Sequence, residues 1–488
     1  MQRKGEVNMN INRFINIVKG NSEKVIIITS YVLMVMLMYI TKNELFMYIS
    51  FAITIFILLK VSIKEKRLEA KTLILITLLY SLILPDNYVI ILLSLILIIR
   101  YIKELSWYKI RCFMLKYKTI LLLIMGFFAI NILSNKISLI KVLIAVYFNF
   151  TFISYFYIFI WNKGMNFELK KVIPHLENII IIQALATMIN IIINFDFVKN
   201  DFAGDWSTGT LGLNQGNILC ILLGFSSIYY FFTYMKSKEI KNLILFFISI
   251  FIMLSTFSLV NIVIFLGIIF IYLMQQLFKN KGSKWLITIP VVAIALLYGV
   301  SPQWVKNDIK NFTDVEYLSQ RFGKAQTYMD TYFNIPSQDF KFLLIGNGVG
   351  NYSSRAALTV SGNYIGIYNK FLEPDVSEYS QKYIIDKLYG DKAQEELYFS
   401  ASVLGTPLSI YITIMGEFGF IGLGVFIFIV IILFKEINRY QRYILSCFLL
   451  MCIFDNWVEF AKVSLIFSFI MALLYQFSQR NEDNCFAK

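Results

Sequence analysis

About fourteen apolar runs recur along this chain, at roughly 25–40, 45–59, 72–84, 88–99, 119–134, 137–161, 178–195, 210–234, 242–257, 258–277, 285–300, 407–434, 442–455 and 461–478. No other feature narrows the fold as much. Hydrocarbon offers backbone N–H and C=O groups no partners, so runs of this kind cross it as helices that close their own hydrogen bonds. Hydrophobic residues make up 58% of the 488 and charged residues 16%, against about 45–50% and about 25% in soluble domains. A soluble globular protein is excluded, and lipid must act as the solvent. The expected fold is all-α and integral to the membrane, with about 12–14 transmembrane helices and one large, partly helical extracytoplasmic loop. Several runs fall short of the ~20 residues a span needs, so flanking Tyr, Trp and Lys must complete them.

The net charge of +14 points in such a chain to cytoplasmic connections and not to nucleic acid. Alternate connections hold the basic residues: five from Lys60 to Lys71, six from Arg100 to Lys118, and three each in 162–177, 235–241, 279–284 and 435–442. The intervening connections 41–44, 85–87, 135–136 and 196–209 hold at most one Lys each. Basic connections face the cytoplasm, which makes both termini cytoplasmic and puts the connection 301–406 outside. The expected organisation is a cytoplasmic N-terminus at 1–24, a transmembrane region at 25–300, the extracytoplasmic loop at 301–406, C-terminal transmembrane helices at 407–478 and a cytoplasmic tail at 479–488. The first apolar run has no small-residue cleavage site after it and is expected to remain as an anchor. The five cysteines show no CxxC spacing, so neither disulfides nor a cysteine metal site is expected. No internal repeat is visible.

The loop is polar, mixed in charge and rich in aromatics, as an ordered small domain would be. Helical periodicity is expected over 311–334, with Leu318, Phe322, Ala325 and Met329 along one side, and over 376–399. Between them lies Leu343-Leu344-Ile345-Gly346-Asn347-Gly348-Val349-Gly350-Asn351-Tyr352. These glycines are either a tight turn or a nest of N–H groups that approaches an anion such as pyrophosphate. No Lys-Ser/Thr follows, so a nucleotide P-loop is excluded.

Three segments in this order resemble the O-antigen ligase and polysaccharide polymerase family, the polytopic lipid-linked oligosaccharide polymerases in particular. They are Gly209-Thr210-Leu211-Gly212-Leu213-Asn214-Gln215-Gly216-Asn217, Arg321 with the Gly346–Tyr352 turn, and Ile414-Met415-Gly416-Glu417-Phe418-Gly419-Phe420-Ile421-Gly422. The resemblance implies glycan transfer from undecaprenyl pyrophosphate at the outer face, without cofactor, metal or nucleotide sugar. It assigns Arg321 to the lipid pyrophosphate, a task suited to a permanently charged, bidentate donor; the alternative is an ion pair with Glu316 or Asp314. Arg355, eleven residues before Gly366, is expected near the same anion, with Gly346, Gly348 and Tyr352 in the binding turn. Asn214 and Asn217, with Gln215 and Asn261, are polar groups in apolar runs and serve either sugar hydroxyls or interhelical hydrogen bonds. Lys141 either snorkels to the surface or meets a phosphate.

The chain also departs from that family. The ligase branch has a loop His, whereas the single His175 here falls in a connection read as cytoplasmic and is expected to be solvated. A Ser-Arg pair at the start of a central span is replaced by the stretch Leu254 to Asn261. Both departures favour a polymerase over a ligase. Glu417 is the first candidate for the base that takes the acceptor's proton, with helix anchoring as the alternative; Glu373, Asp375, Glu395 and Glu396 are weaker candidates. The expected partners are undecaprenyl-pyrophosphate-linked oligosaccharide, membrane lipid, a flippase and a chain-length regulator. A competing reading makes the chain itself the flippase for the same lipid-linked units; a ligase is a third.

Overall fold

The computed structural model describes residues 23–65, 69–85, 88–104, 115, 118–161, 168–193, 207–212, 215–279, 292, 295, 299, 323–362, 373–389 and 408–486. Among them there is no strand. The described apolar runs are the helices α1 Glu23–Thr41, α2 Leu45–Glu65, α3 Ala70–Tyr80, α4 Tyr88–Glu104, α5 Lys118–Ser134, α6 Leu139–Tyr155, α7 Leu169–Ile193, α8 Gly216–Ser237, α9 Ile240–Ser255, α10 Leu259–Lys279, α11 Ile410–Glu436, α12 Arg439–Met451 and α13 Ala461–Phe486, while the run at 285–300 lies almost wholly outside the described residues. Eight of these, α1, α2, α6, α7, α8, α10, α11 and α13, are long and apolar enough to cross a membrane. The protein is an all-α, multi-pass membrane protein.

The chain divides into two compact units, one of Met1–Tyr101 with Asn166–Ser258, the other of Ile102–Met165 with Leu259–Lys488. In the first unit, α9 packs on both α7 and α8, with the buried rings of Phe231 and Phe246 5.3 Å apart. Glu177 of α7 pairs with Lys241 of α9 at 2.6 Å. Elsewhere in this unit Tyr39 donates to the Gly209 carbonyl, Gln215 donates to the Pro85 carbonyl, and a Cβ on Gly212 would lie 2.4 Å from a Glu44 carboxylate oxygen. Thr210 is tied to Gln183 of α7 and donates to the Ile83 carbonyl at 2.7 Å.

His175 departs from its expected place. It lies inside α7, half-buried, with Nδ1 3.3 Å from the Tyr80 hydroxyl. The helix begins at Leu169 and extends the apolar run through Pro174, which turns a presumed solvated connection into a packed helix.

In the second unit, α6 continues as a wide π turn over Phe156–Trp161 and packs on α13. Phe152, Phe448 and Phe467 stack there, the last two with ring centres 4.1 Å apart. The polar loop segment belongs to this unit. It folds as short helices at Gly323–Met329, Ile335–Gln338, Phe340–Ile345, Arg355–Val360 and Glu378–Ser380, with π turns at Asp330–Asn334 and Gln381–Ile385. These bury a core of their own, in which Ile335, Phe342, Tyr352, Leu358, Ile384 and Ile385 pack on Ile412 of α11. The parts of the expected helices at 311–322 and 390–399 lie outside the described residues.

Candidate functional site

Helix α11 is broken once. Gly419 has φ +64° in the middle of it, so the carbonyls of Gly416 and Glu417 lose the N–H groups that an unbroken helix would aim at them. In an apolar bundle such carbonyls must find other partners. The glycine turn supplies them: Asn347 N donates to the Gly416 carbonyl at 2.8 Å and Gly348 N to the Glu417 carbonyl at 3.1 Å. The two backbones cross so closely that a Cβ on Gly346 would lie 2.4 Å from the Glu417 carbonyl carbon, and one on Gly419 2.4 Å from that of Leu344. Both positions also have positive φ, which disfavours any side chain there.

Asn131 of α5 completes the crossing. Its amide donates to the Ile345 and Glu417 carbonyls at 2.6 and 2.9 Å, and its oxygen accepts from Val349 N at 3.1 Å. Asn135, one turn on, donates to the Gly346 carbonyl at 3.3 Å. One fully buried side chain thus serves three backbone groups on two segments. A lone Asn in the apolar run 119–134 was the available signal for this role, and its cost in lipid is the reason to heed it.

The Glu417 carboxylate, 2% exposed, lies beneath the turn. It accepts from Gly350 N at 2.8 Å, Ser354 N at 3.2 Å and Tyr352 N at 3.3 Å. The glycine turn is therefore an anion nest, as its residues allowed, but these N–H groups face an internal carboxylate and not an open surface. The expectation that Gly346 and Gly348 present N–H groups to a pyrophosphate is corrected accordingly, since Gly346 N also bonds inward, to Phe342 O at 2.9 Å. Tyr352 is a core residue: it is fully buried, and its hydroxyl lies 2.8 Å from Thr331 Oγ1.

Arg355 begins the next short helix. Its backbone N–H donates to Glu459 Oε2 at 2.8 Å, and its guanidinium lies 3.5 Å from the centre of the Phe460 ring. Burial works against the guanidinium charge, and Asp455 and Glu459 support it. Glu459 sits between α12 and α13, where burial raises its carboxyl to about 8, with Glu417 and Asp455 pushing the same way and Arg355 opposing. Sequence reading passed over Glu459 because nothing local separates it from a solvated helix-linker charge. Lys324 is buried nearby, donates to the Leu408 and Phe454 carbonyls, and is lowered to about 7 by its desolvation, with Asp455 opposing.

Alongside these groups lies a cavity of about 380 Å³ between α6, α11, α12 and α13. Its walls are apolar, among them Phe152, Phe156, Phe426, Val430, Leu433 and Phe448, while Asn149, Ser354, Thr413, Glu417, Asn456 and Glu459 are its polar lining residues.

The structure brings Gly346, Gly348, Tyr352, Arg355 and Glu417 together in the second unit. Asn217 belongs to the first, where its side-chain oxygen accepts from Ser258 Oγ. Arg321 and Asn214 lie outside the described residues. Lys141, 4% exposed, pairs with Asp375 at 2.8 Å and donates to Asn351 Oδ1 at 2.7 Å, so it ties the loop to α6.

No family model matches this chain, and no curated protein and no solved structure is significantly similar to it.

Proposed function

We propose that this membrane protein is a glycosyltransferase that joins oligosaccharide repeat units carried on undecaprenyl pyrophosphate, at the outer face of a bacterial cytoplasmic membrane. The cavity carries the reading. Apolar aromatic walls that end in two buried carboxylates suit an amphiphile whose chain lies in the bundle and whose sugar end meets groups able to move a proton. The order of the three motif segments supports it independently.

The reaction needs the acceptor hydroxyl to attack the anomeric carbon of the donor while the bond to pyrophosphate breaks. The fold contributes positioning, through the turn and broken helix that order the cavity wall, and the departing pyrophosphate needs a cation to stabilise it. Arg321 is assigned to that leaving group from sequence. Glu417 is assigned to holding the turn, because three N–H groups already occupy its two oxygens.

The test is reconstitution in liposomes with lipid-linked oligosaccharide extracted from source cells deleted for this chain, without nucleotide sugar. A ladder of multiples on a gel is expected. Arg321→Ala and Arg321→Lys should abolish the ladder at unchanged membrane abundance. Transfer of intact units across the bilayer with no ladder would make the protein a flippase.

A further inference from the structure

One residue at the polar end of the cavity carries an acceptor that the fold leaves unused. Asn456 is 4% exposed and lines the cavity, yet its Oδ1 has no hydrogen-bond partner. A buried acceptor left unmade is destabilising, and such a group in a native fold calls for a donor from elsewhere. Its own amide is turned to Thr413 Oγ1 at 3.5 Å. Three residues on, Glu459 lines the same cavity, with Oε2 held by Arg355 N. Two residues of one short segment, each with a buried acceptor, thus line an apolar chamber.

We infer that Asn456 and Glu459 form the acceptor-sugar subsite of the proposed transfer, with Asn456 Oδ1 accepting from one sugar hydroxyl and Glu459 taking the proton of the attacking one. The inference rests on the glycosyltransferase reading. The step balances: the acceptor oxygen forms its bond to the anomeric carbon, the carbon–oxygen bond to pyrophosphate breaks, its electron pair leaves with the lipid pyrophosphate, and the hydroxyl proton passes to the Glu459 carboxylate. The titratable and charged groups around Glu459 are Glu417 of α11, Arg355 of the loop helix and Asp455 of its own segment. Glu417 is less suited to the task because backbone donors occupy its oxygens.

The experiment uses full-length protein in liposomes with the same extracted lipid-linked oligosaccharide. Glu459→Gln retains an acceptor for Arg355 N, so it should reach the membrane and bind the lipid within about twofold of the parent by native mass spectrometry. Its kcat should fall by about 100-fold or more, the usual range for loss of a general base. The acid limb of the parent's kcat/KM profile should vanish from the residual activity, and Glu459→Asp should restore part of the rate. Asn456→Ala should raise KM about tenfold with kcat little changed. Turnover of Glu459→Gln within about threefold of the parent, or an unshifted KM for Asn456→Ala, would overturn the inference while leaving the polymerase reading intact. A parent protein that makes no ladder would instead remove the function on which the inference rests. If Glu459→Gln fails to reach the membrane, the KM of Asn456→Ala decides alone.

Discussion

Glu417 and Glu459, forty-two positions apart, are held by consecutive backbone amides: Ser354 N donates to the first at 3.2 Å and Arg355 N to the second at 2.8 Å. One stretch of the polar loop thereby sets two carboxylates from different elements on the wall of one cavity.

Glu417 should act first on stability. Glu417→Gln replaces one acceptor oxygen with an amide that faces backbone donors, and an orphaned buried donor costs ~1–3 kcal/mol. Thermal unfolding in detergent, followed by intrinsic fluorescence, should show Tm lowered by several degrees. An unchanged Tm would mean that the three N–H contacts do not hold the turn.

Gly416 separates close approach from helix propensity. A Cβ there would lie 1.9 Å from the ring of buried Tyr352, so Gly416→Ala should cost ~1–3 kcal/mol by overpacking and lower folded yield. Gly424 lies in the same helix with nothing within 4 Å of its added Cβ. Gly424→Ala should leave Tm unchanged or slightly raised. Equal effects at the two sites would contradict the docking of the turn on α11.

The buried Glu459 predicts a pH dependence of definite sign. Its carboxyl moves from 4.5 to about 8 on folding, so between those values the folded chain keeps a proton that the unfolded chain releases. Its stabilising contribution is present below 4.5 and is lost as pH rises through about 8. Lys324, lowered from 10.5 to about 7, acts in the opposite sense above pH 7, and that effect cancels when two proteins sharing it are compared. From pH 5 to 8 the parent should therefore lose Tm more steeply than Glu459→Gln. Parallel curves would show that Glu459 titrates normally.

Orientation is open to chemical labelling. Glu373 and Glu436 are both exposed, and the basic-residue pattern puts the first outside and the second inside. In a chain with Cys112 and Cys485 replaced by Ser, an impermeant thiol reagent applied to intact cells should modify Glu373→Cys and spare Glu436→Cys. The reverse pattern would invert the topology.

Apolar run length and the scarcity of charge determined the all-α membrane class from sequence alone, because the lipid requirement acts on every residue of a span and leaves its mark locally. The same holds for the turn at 346–352 and for the oddity of Glu417 in an apolar run, since glycine and buried charge are each conspicuous residue by residue. Their relationship was decided only in three dimensions. Whether a nest binds a ligand or the protein's own carboxylate depends on what lies across from it, and here Glu417 stands sixty-seven positions after Gly350. Asn456 and Glu459 were hidden for the same reason. A polar side chain gains its role from partners that packing supplies, and the cost of leaving it unpaired exists only once the fold has excluded water around it.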